Sequence, residues 1–179
     1  TSITLDFESG LGAGVTTGNS GYAAFTRQYL KTTSSNTGPM PGDAGSAYFM
    51  YAEASGGSLG KLFDLKYDGS DCSAMGSIVG TITFAFHMYG ADMGSLRVVD
   101  AAGLQKWSLS GNQGNSWKSA SVDVYSSSFR FEYVRGNGFR GDAAIDNVVV
   151  NCGVAPPPPP PQSPPSPPQA PPPPSPPPA

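Results

Sequence analysis

Charge is scarce in this 179-residue chain: Asp, Glu, Lys and Arg make up 13% of it, and the net charge is −3. Lys and Arg form no cluster, and the pI is near 4.9. That balance argues against nucleic acid as a partner and leaves nothing to dock on an anionic membrane. No apolar run approaches the ~18–20 residues that a bilayer-crossing helix needs, so no membrane span is expected. Histidine occurs once, at His87, and cysteine twice, at Cys72 and Cys152. Without a C-x-x-C spacing, neither zinc nor thiol redox chemistry is indicated. The cysteines leave two readings open. A disulfide would place the chain outside the cytosol and stabilise it by roughly 4–5 kcal/mol in chain-entropy terms; the alternative is two buried thiols. No secretory leader is recognisable, because Thr1-Ser2-Ile3-Thr4 opens directly into a strand pattern, as expected of a mature chain or an excised fragment.

Proline is plentiful but confined, with 17 of 19 prolines falling in the uncharged stretch 155–179. Proline fixes φ and supplies no backbone donor, so this stretch is expected to be polyproline II, a spacer of ~75 Å at ~3.1 Å per residue. It divides the chain into a head, residues 1–153, and a tail, residues 154–179. The tail's Ser-Pro-Pro repeats resemble hydroxyproline-rich wall glycoproteins of plants and green algae. That resemblance implies hydroxylation or O-linked sugar at Pro156, Pro157, Pro158, Pro159, Pro160, Pro161, Ser163, Pro164, Pro165, Ser166, Pro167, Pro168, Pro171, Pro172, Pro173, Pro174, Ser175, Pro176, Pro177 and Pro178. An inert spacer, or a ligand for an aromatic-lined groove, are the alternatives.

The head is rich in Gly, Ser, Thr, Tyr, Phe and Val, in short alternating runs broken by glycine. The pattern predicts strands over 3–8, 22–28, 47–53, 61–66, 78–89, 95–100, 104–109, 119–125, 129–135 and 143–150. Ile82, Phe84, Phe86 and Met88 share one strand face. Phe129, Phe131 and Tyr133 share another, with Arg130 and Glu132 opposite. Each pattern fits a sheet with one buried side, and hence an all-β sandwich of two sheets. Loops at 10–20, 32–45 and 111–116 are rich in Gly, Ser and Asn and are the places to look for binding sites.

Taken together these segments resemble a MAM domain, the extracellular adhesion module of meprins, neuropilins and receptor tyrosine phosphatases. The likeness rests on Leu5-Asp6-Phe7-Glu8-Ser9-Gly10, Thr37-Gly38-Pro39 with Asp43, and Ala47 through Glu53. It continues through Cys72, Ile82 through Gly90, Gly94-Ser95-Leu96-Arg97-Val98, Trp117 and Gly141 through Cys152. It implies a jelly-roll β-sandwich, an adhesive and non-enzymatic role, frequent self-association, and a Cys72–Cys152 disulfide matching the family's second. The family's first disulfide has no counterpart here, since Leu5 and the region of Gly12 stand in its place. The family's terminal Asp-Asp is Asp146-Asn147.

Asp6, Glu8, Asp43 and Asp146 are the candidate ligands for a structural Ca²⁺, which takes six to eight oxygens from carboxylates and carbonyls. Related jelly rolls often hold a cation there, so the resemblance sets this reading level with that of plain solvated acids. Two acids also raise glycoside hydrolysis, but Asp6-Phe7-Glu8 lacks the third acid that jelly-roll glucanases carry along the strand. His87 lies mid-strand without a nucleophile elbow and reads as a hydrogen-bonded strand histidine. Arg140-Gly141-Asp142 spells an integrin-type tripeptide where the family places Gly-Asp in any case. Tyr22, Tyr29, Trp107 and Tyr125 would stack on sugar or receive a polyproline tail; Trp117 reads as core. The expectation is therefore a secreted structural or adhesive glycoprotein that self-associates into a matrix, cell wall or surface fibril. The alternative is a carbohydrate-binding module on a proline-rich stalk.

Overall fold

A computed structural model describes residues 1–154 and the exposed Pro157; the other tail positions named above lie outside the described residues. Two six-stranded sheets pack face to face. Sheet A runs β10 (Lys118–Ser126), β7 (Ile78–Met88), β12 (Ala143–Gly153), β5 (Tyr48–Ala52), β4 (Thr26–Tyr29). On one flank of β12, β5 pairs with Ala143 to Ile145 and β1 (Ser2–Leu5) with Val148 to Asn151. Sheet B runs β2 (Val15–Thr17), β6 (Leu62–Tyr67), β11 (Phe129–Val134), β8 (Ser95–Asp100), β9 (Gln105–Ser110), and β3 (Ala23–Ala24) adds to β6 in parallel. Every other pairing is antiparallel, as in a jelly roll.

The alternation in β7 and β11 builds the core. Ile82, Phe84, Phe86 and Met88 point inward from sheet A and Phe129, Phe131 and Tyr133 from sheet B, all buried. Phe84 meets Phe131 at 4.8 Å and Trp107 at 5.3 Å, both edge to face, the geometry the ring quadrupole favours. A short helix, α1 (Ser70–Ala74), carries Cys72 to Cys152 on β12, closing the disulfide with Cα atoms 5.3 Å apart. Gly69 precedes α1 at φ 76°, where a Cβ would collide with the Ser127 carbonyl oxygen.

Three expectations need correction. The run 22–28 is not one strand: the chain leaves sheet B after β3, buries Phe25, and enters sheet A as β4. The first strand stops at Leu5 rather than Glu8, because Phe7 adopts φ 58° and turns the backbone out of the ladder. β2 and α1 were hidden among glycines and serines that read as loop. Sheet A is also buried on both faces at its centre, since Ala85, His87, Phe49, Tyr51 and Ala144 point away from the main core yet are buried. What covers them is the segment 30–46, which crosses the outer face as a strap. Among the described residues, the outer face of sheet B is covered only by the short stretch 18–22, through Asn19 and Tyr22.

Candidate functional site

The register of β5, β12 and β7 fixes the floor beneath the strap. Tyr51, Ala144 and His87 lie side by side; one step along, the same register brings Glu53, Asp142 and Tyr89 together, and on the other side Phe49, Asp146 and Ala85. A bulge at Asn147, whose φ is 46°, interrupts β12 just after Asp146 and marks the switch of partner from β5 to β1.

Carboxylates fasten the strap at both ends. At one, Thr33 Oγ1 donates to Glu53 Oε2 at 2.8 Å and the Asp142 amide donates to Thr37 Oγ1 at 2.9 Å. At the other, Asp146 Oδ2 accepts from the Asp43 amide at 2.9 Å and from Ser46 Oγ at 2.5 Å. Asn147 Nδ2 donates to Asp43 Oδ2 at 3.1 Å, and Glu8 Oε1 accepts the Ala47 and Tyr48 amides at 2.9 Å. Midway, Trp117 Nε1 donates to the Pro41 carbonyl at 2.9 Å.

This floor holds the most perturbed acids and the lone imidazole. Burial pushes the Asp142 carboxyl up to about 7, with the nearby Glu53 charge acting in the same direction. Burial likewise lifts Asp146 to about 6 against the pull of Ser46 and two backbone donors. His87 is driven down to about 4 by burial, against a contact of its Nε2 with Asn115 Oδ1 at 3.1 Å. Asp142 Oδ2 and His87 Nδ1 are buried without a hydrogen-bond partner among the described residues. Between strap and floor opens a polar groove of about 400 Å³, lined among others by Lys31, Ser34, Asn36, Met40, Tyr89 and Asn115.

Three of the four acids named for a cation gather at the 43–48 turn: Glu8, Asp43 and Asp146. Asp6 sits beside them, its Oδ1 accepting the Glu8 amide at 3.1 Å. As folded, N–H and O–H donors take both oxygens of Asp146 and one each of the others. Among the described residues no group of three or more acids, histidines or cysteines is placed to hold a metal ion. As folded, these contacts make a hydrogen-bonded latch between the segment just after β1, the 43–48 turn and β12. The four aromatics fall in four places. Tyr29 stacks on Tyr48 at the β4 edge, Tyr125 lies on β10 at the opposite edge, Trp107 packs against Phe84 and Phe86, and Tyr22 covers part of sheet B. Asp142 of the Arg-Gly-Asp tripeptide is fully buried and presents nothing to a partner. Glu53, Asn115 and the strap carry no local signature; their partners are distant in sequence.

The sequence profile of the MAM domain (meprin/A5/mu) matches residues 6–153. The chain belongs to the MAM family. A human MAM domain-containing glycosylphosphatidylinositol anchor protein 1 is 35% identical over 151 residues, a match covering 74% of this chain and 15% of that protein. Neuropilin-1 of Xenopus laevis is 26% identical over 138 residues, covering 68% and 14%. The MAM chain thus spans only about one-seventh of the length of these relatives. In fold it is similar to the K1 cleaved adhesin domain of Lys-gingipain from Porphyromonas gingivalis W83, with TM-score 0.58, 15% identity, and coverage of 86% and 99%. It is also similar to CBM27-1 of Caldicellulosiruptor saccharolyticus, solved in complex with mannohexaose, with TM-score 0.55, 12% identity, and coverage of 87% and 99%. MAM domains are extracellular adhesion modules, and no helix among the described residues is long and apolar enough to cross a membrane.

Proposed function

We propose that this MAM protein is a secreted structural and adhesive glycoprotein that self-associates into a matrix, cell wall or surface fibril. The head contacts neighbouring subunits, and the proline-rich tail acts as a glycosylated rod or docking segment. The reading is non-enzymatic. Its main support is the MAM match over residues 6–153. A second support is the exposed apolar pair at the end of β4, where Tyr29 is 55% and Leu30 42% exposed. Electron microscopy of the native full chain beside one ending at Gly153, with intact mass of each, tests it. Filaments from the full chain alone, with excess mass on the tail, are expected. Dispersed particles from both would sink self-assembly.

The polar groove under the strap favours a second reading, a carbohydrate-binding module on a proline-rich stalk. Hydroxyl and amide side chains around one aromatic suit a sugar's alternating donors and apolar faces. This reading expects a monomer that a polysaccharide column retains.

A further inference from the structure

The open face of sheet B carries a second polar constellation. Register sets Thr16, Lys66 and Arg130 in one cross-strand row, Asp64, Glu132, Arg97 and Ser108 in the next, and Val134, Ser95 and Ser110 beyond. Glu132 is the hub. Its Oε2 takes Arg97 Nε at 2.6 Å, and its Oε1 takes Arg130 Nε at 2.5 Å and the Tyr22 hydroxyl at 3.0 Å. The Arg130 guanidinium lies 5.2 Å from the Tyr22 ring centre. The second acid, Asp64, is satisfied by the Asn19 amide and side chain, each at 3.0 Å.

Burial separates the two signs of charge. Glu132 and Asp64 are 2% and 1% exposed, whereas the Arg97 and Arg130 side chains are 32% and 34% exposed. Lys66 is half-buried and enters no ion pair among the described residues. Each guanidinium is committed through Nε to Glu132. That leaves the Nη edge of Arg97 without a protein acceptor among the described residues, and Arg130 Nη2 with only a long 3.5 Å contact to the Tyr22 hydroxyl. A planar fork held in place by a buried carboxylate is the geometry that receives a carboxylate or sulfate oxygen pair. In a chain of net charge −3, this face therefore presents two guanidiniums to solvent with their shared counter-charge, Glu132, sunk beneath them, while Lys66 acts on the exposed Asp68 at its edge. Hydroxyls of Thr16, Ser95, Ser108 and Ser110 flank them, and the Tyr22 ring stands beside.

We infer that the outer face of sheet B binds an acidic polysaccharide, the Nη edges of Arg97 and Arg130 with Lys66 gripping its carboxylate or sulfate groups and Tyr22 supporting a sugar ring. Rows two residues apart lie ~7 Å from one another, so the cations meet anions spaced along a chain better than one isolated ion. The hydroxyl band and the aromatic favour a saccharide over an acidic peptide. The inference refines the glycan-binding reading by naming a charged ligand and a face other than the strap groove, and it is independent of self-association.

The test uses the full chain with polygalacturonate as the carboxylated probe, a carrageenan as the sulfated one and a neutral mannan. Affinity electrophoresis and calorimetry are run at low and physiological salt, with NMR shifts of the arginine Nε–H groups and the Tyr22 ring. Binding to one or both acidic polymers, weakened by salt and shifting those resonances, is expected, and which polymer binds identifies the anion. Arg97→Gln with Arg130→Gln should weaken it at least about tenfold, the loss of charge-assisted contacts. Because that pair strands Glu132 and threatens the fold, Lys66→Gln, which leaves the hub intact, should weaken it severalfold, and Lys118→Gln on β10 should not. No binding to either acidic polymer, or unchanged affinity in folded Lys66→Gln, overturns the inference. So does competition by polyglutamate as effective as by polysaccharide, which would assign the face to an acidic protein. Binding of mannan alone, indifferent to these changes, overturns it while leaving the groove as the glycan site.

Discussion

Asp142, Asp146 and His87 are buried on one outer face of sheet A, and their ionisation works in opposite directions. Asp142 and Asp146 have folded pKa values of about 7 and about 6 against 3.8 ordinarily, so the folded state holds more protons than the unfolded one. Their contribution is fully present below pH 3.8 and is lost as pH rises through 6 and 7. His87, at about 4 against 6.5, does the reverse: its contribution is present above pH 6.5 and is lost as pH falls through 4. Between pH 6.5 and 8 Asp142 is the group that loses most of its proton in the folded state, so stability should fall across that window by no more than about 1 kcal/mol. Asp142→Asn keeps the acceptor for the Ala54 amide and cannot ionise. Denaturant melts of this variant should be flat from pH 6.5 to 8, and a slope equal to that of the parent would dismiss the argument. Because the Asp146 latch spends its oxygens on protein donors, adding Ca²⁺ or EDTA should leave Tm unchanged. A calcium-dependent rise of several degrees would instead support a cation held by Asp6, Glu8, Asp43 and Asp146.

Among the elements, the strap shows best how a loop becomes structure through its partners. Trp117→Phe removes the donor to the Pro41 carbonyl while keeping the ring that packs on Phe49 at 6.0 Å. The expected cost is about 1 kcal/mol. Hydrogen exchange should accelerate at the Gly38 amide, which bonds the Tyr89 carbonyl, and not in β7 or β12. Uniform acceleration would mean that the strap and the sandwich open as one. Gly69→Ala should lower stability by more than the ~1–2 kcal/mol that a side chain costs in the left-handed region, because the Ser127 carbonyl has to move as well. Strands β7 and β11 were legible from the sequence since inward aromatics at every second residue leave one reading. The strap was not: Thr33, Thr37, Asp43 and Ser46 look like any polar loop, and their acceptors Glu53, Tyr89 and Asp146 lie 20 to 103 residues away. The Arg97–Glu132–Arg130 hub was half legible. Alternation in β11 put Arg130 and Glu132 together on the outer face, but only the neighbouring strand could show that the acid is buried and the bases are not.

At the scale of the whole molecule, one covalent bond ties α1 to the last strand across 80 residues of sequence. Cys72→Ser with Cys152→Ser should reduce stability by about 4–5 kcal/mol in chain-entropy terms, read by denaturant unfolding under oxidising conditions. A loss under about 1 kcal/mol would mean that the unfolded chain is already compact near these residues. The bond matters differently when the molecule is pulled. Thr1 and Cys152 are neighbours, the Cys152 amide bonding the Thr1 carbonyl at 3.0 Å, and β1 lies antiparallel along β12. A load applied between residues 1 and 154 therefore peels β1 away one rung at a time rather than shearing several rungs together. Once β1 is gone, the load passes from Cys152 through sulfur to Cys72 and bypasses everything between. Residues 73–151, including β7, β11 and most of the core, cannot lengthen while that bond lasts. An oxidised head thus yields at low force yet gives up no more than its first 72 residues, like a safety strap on a fabric seam.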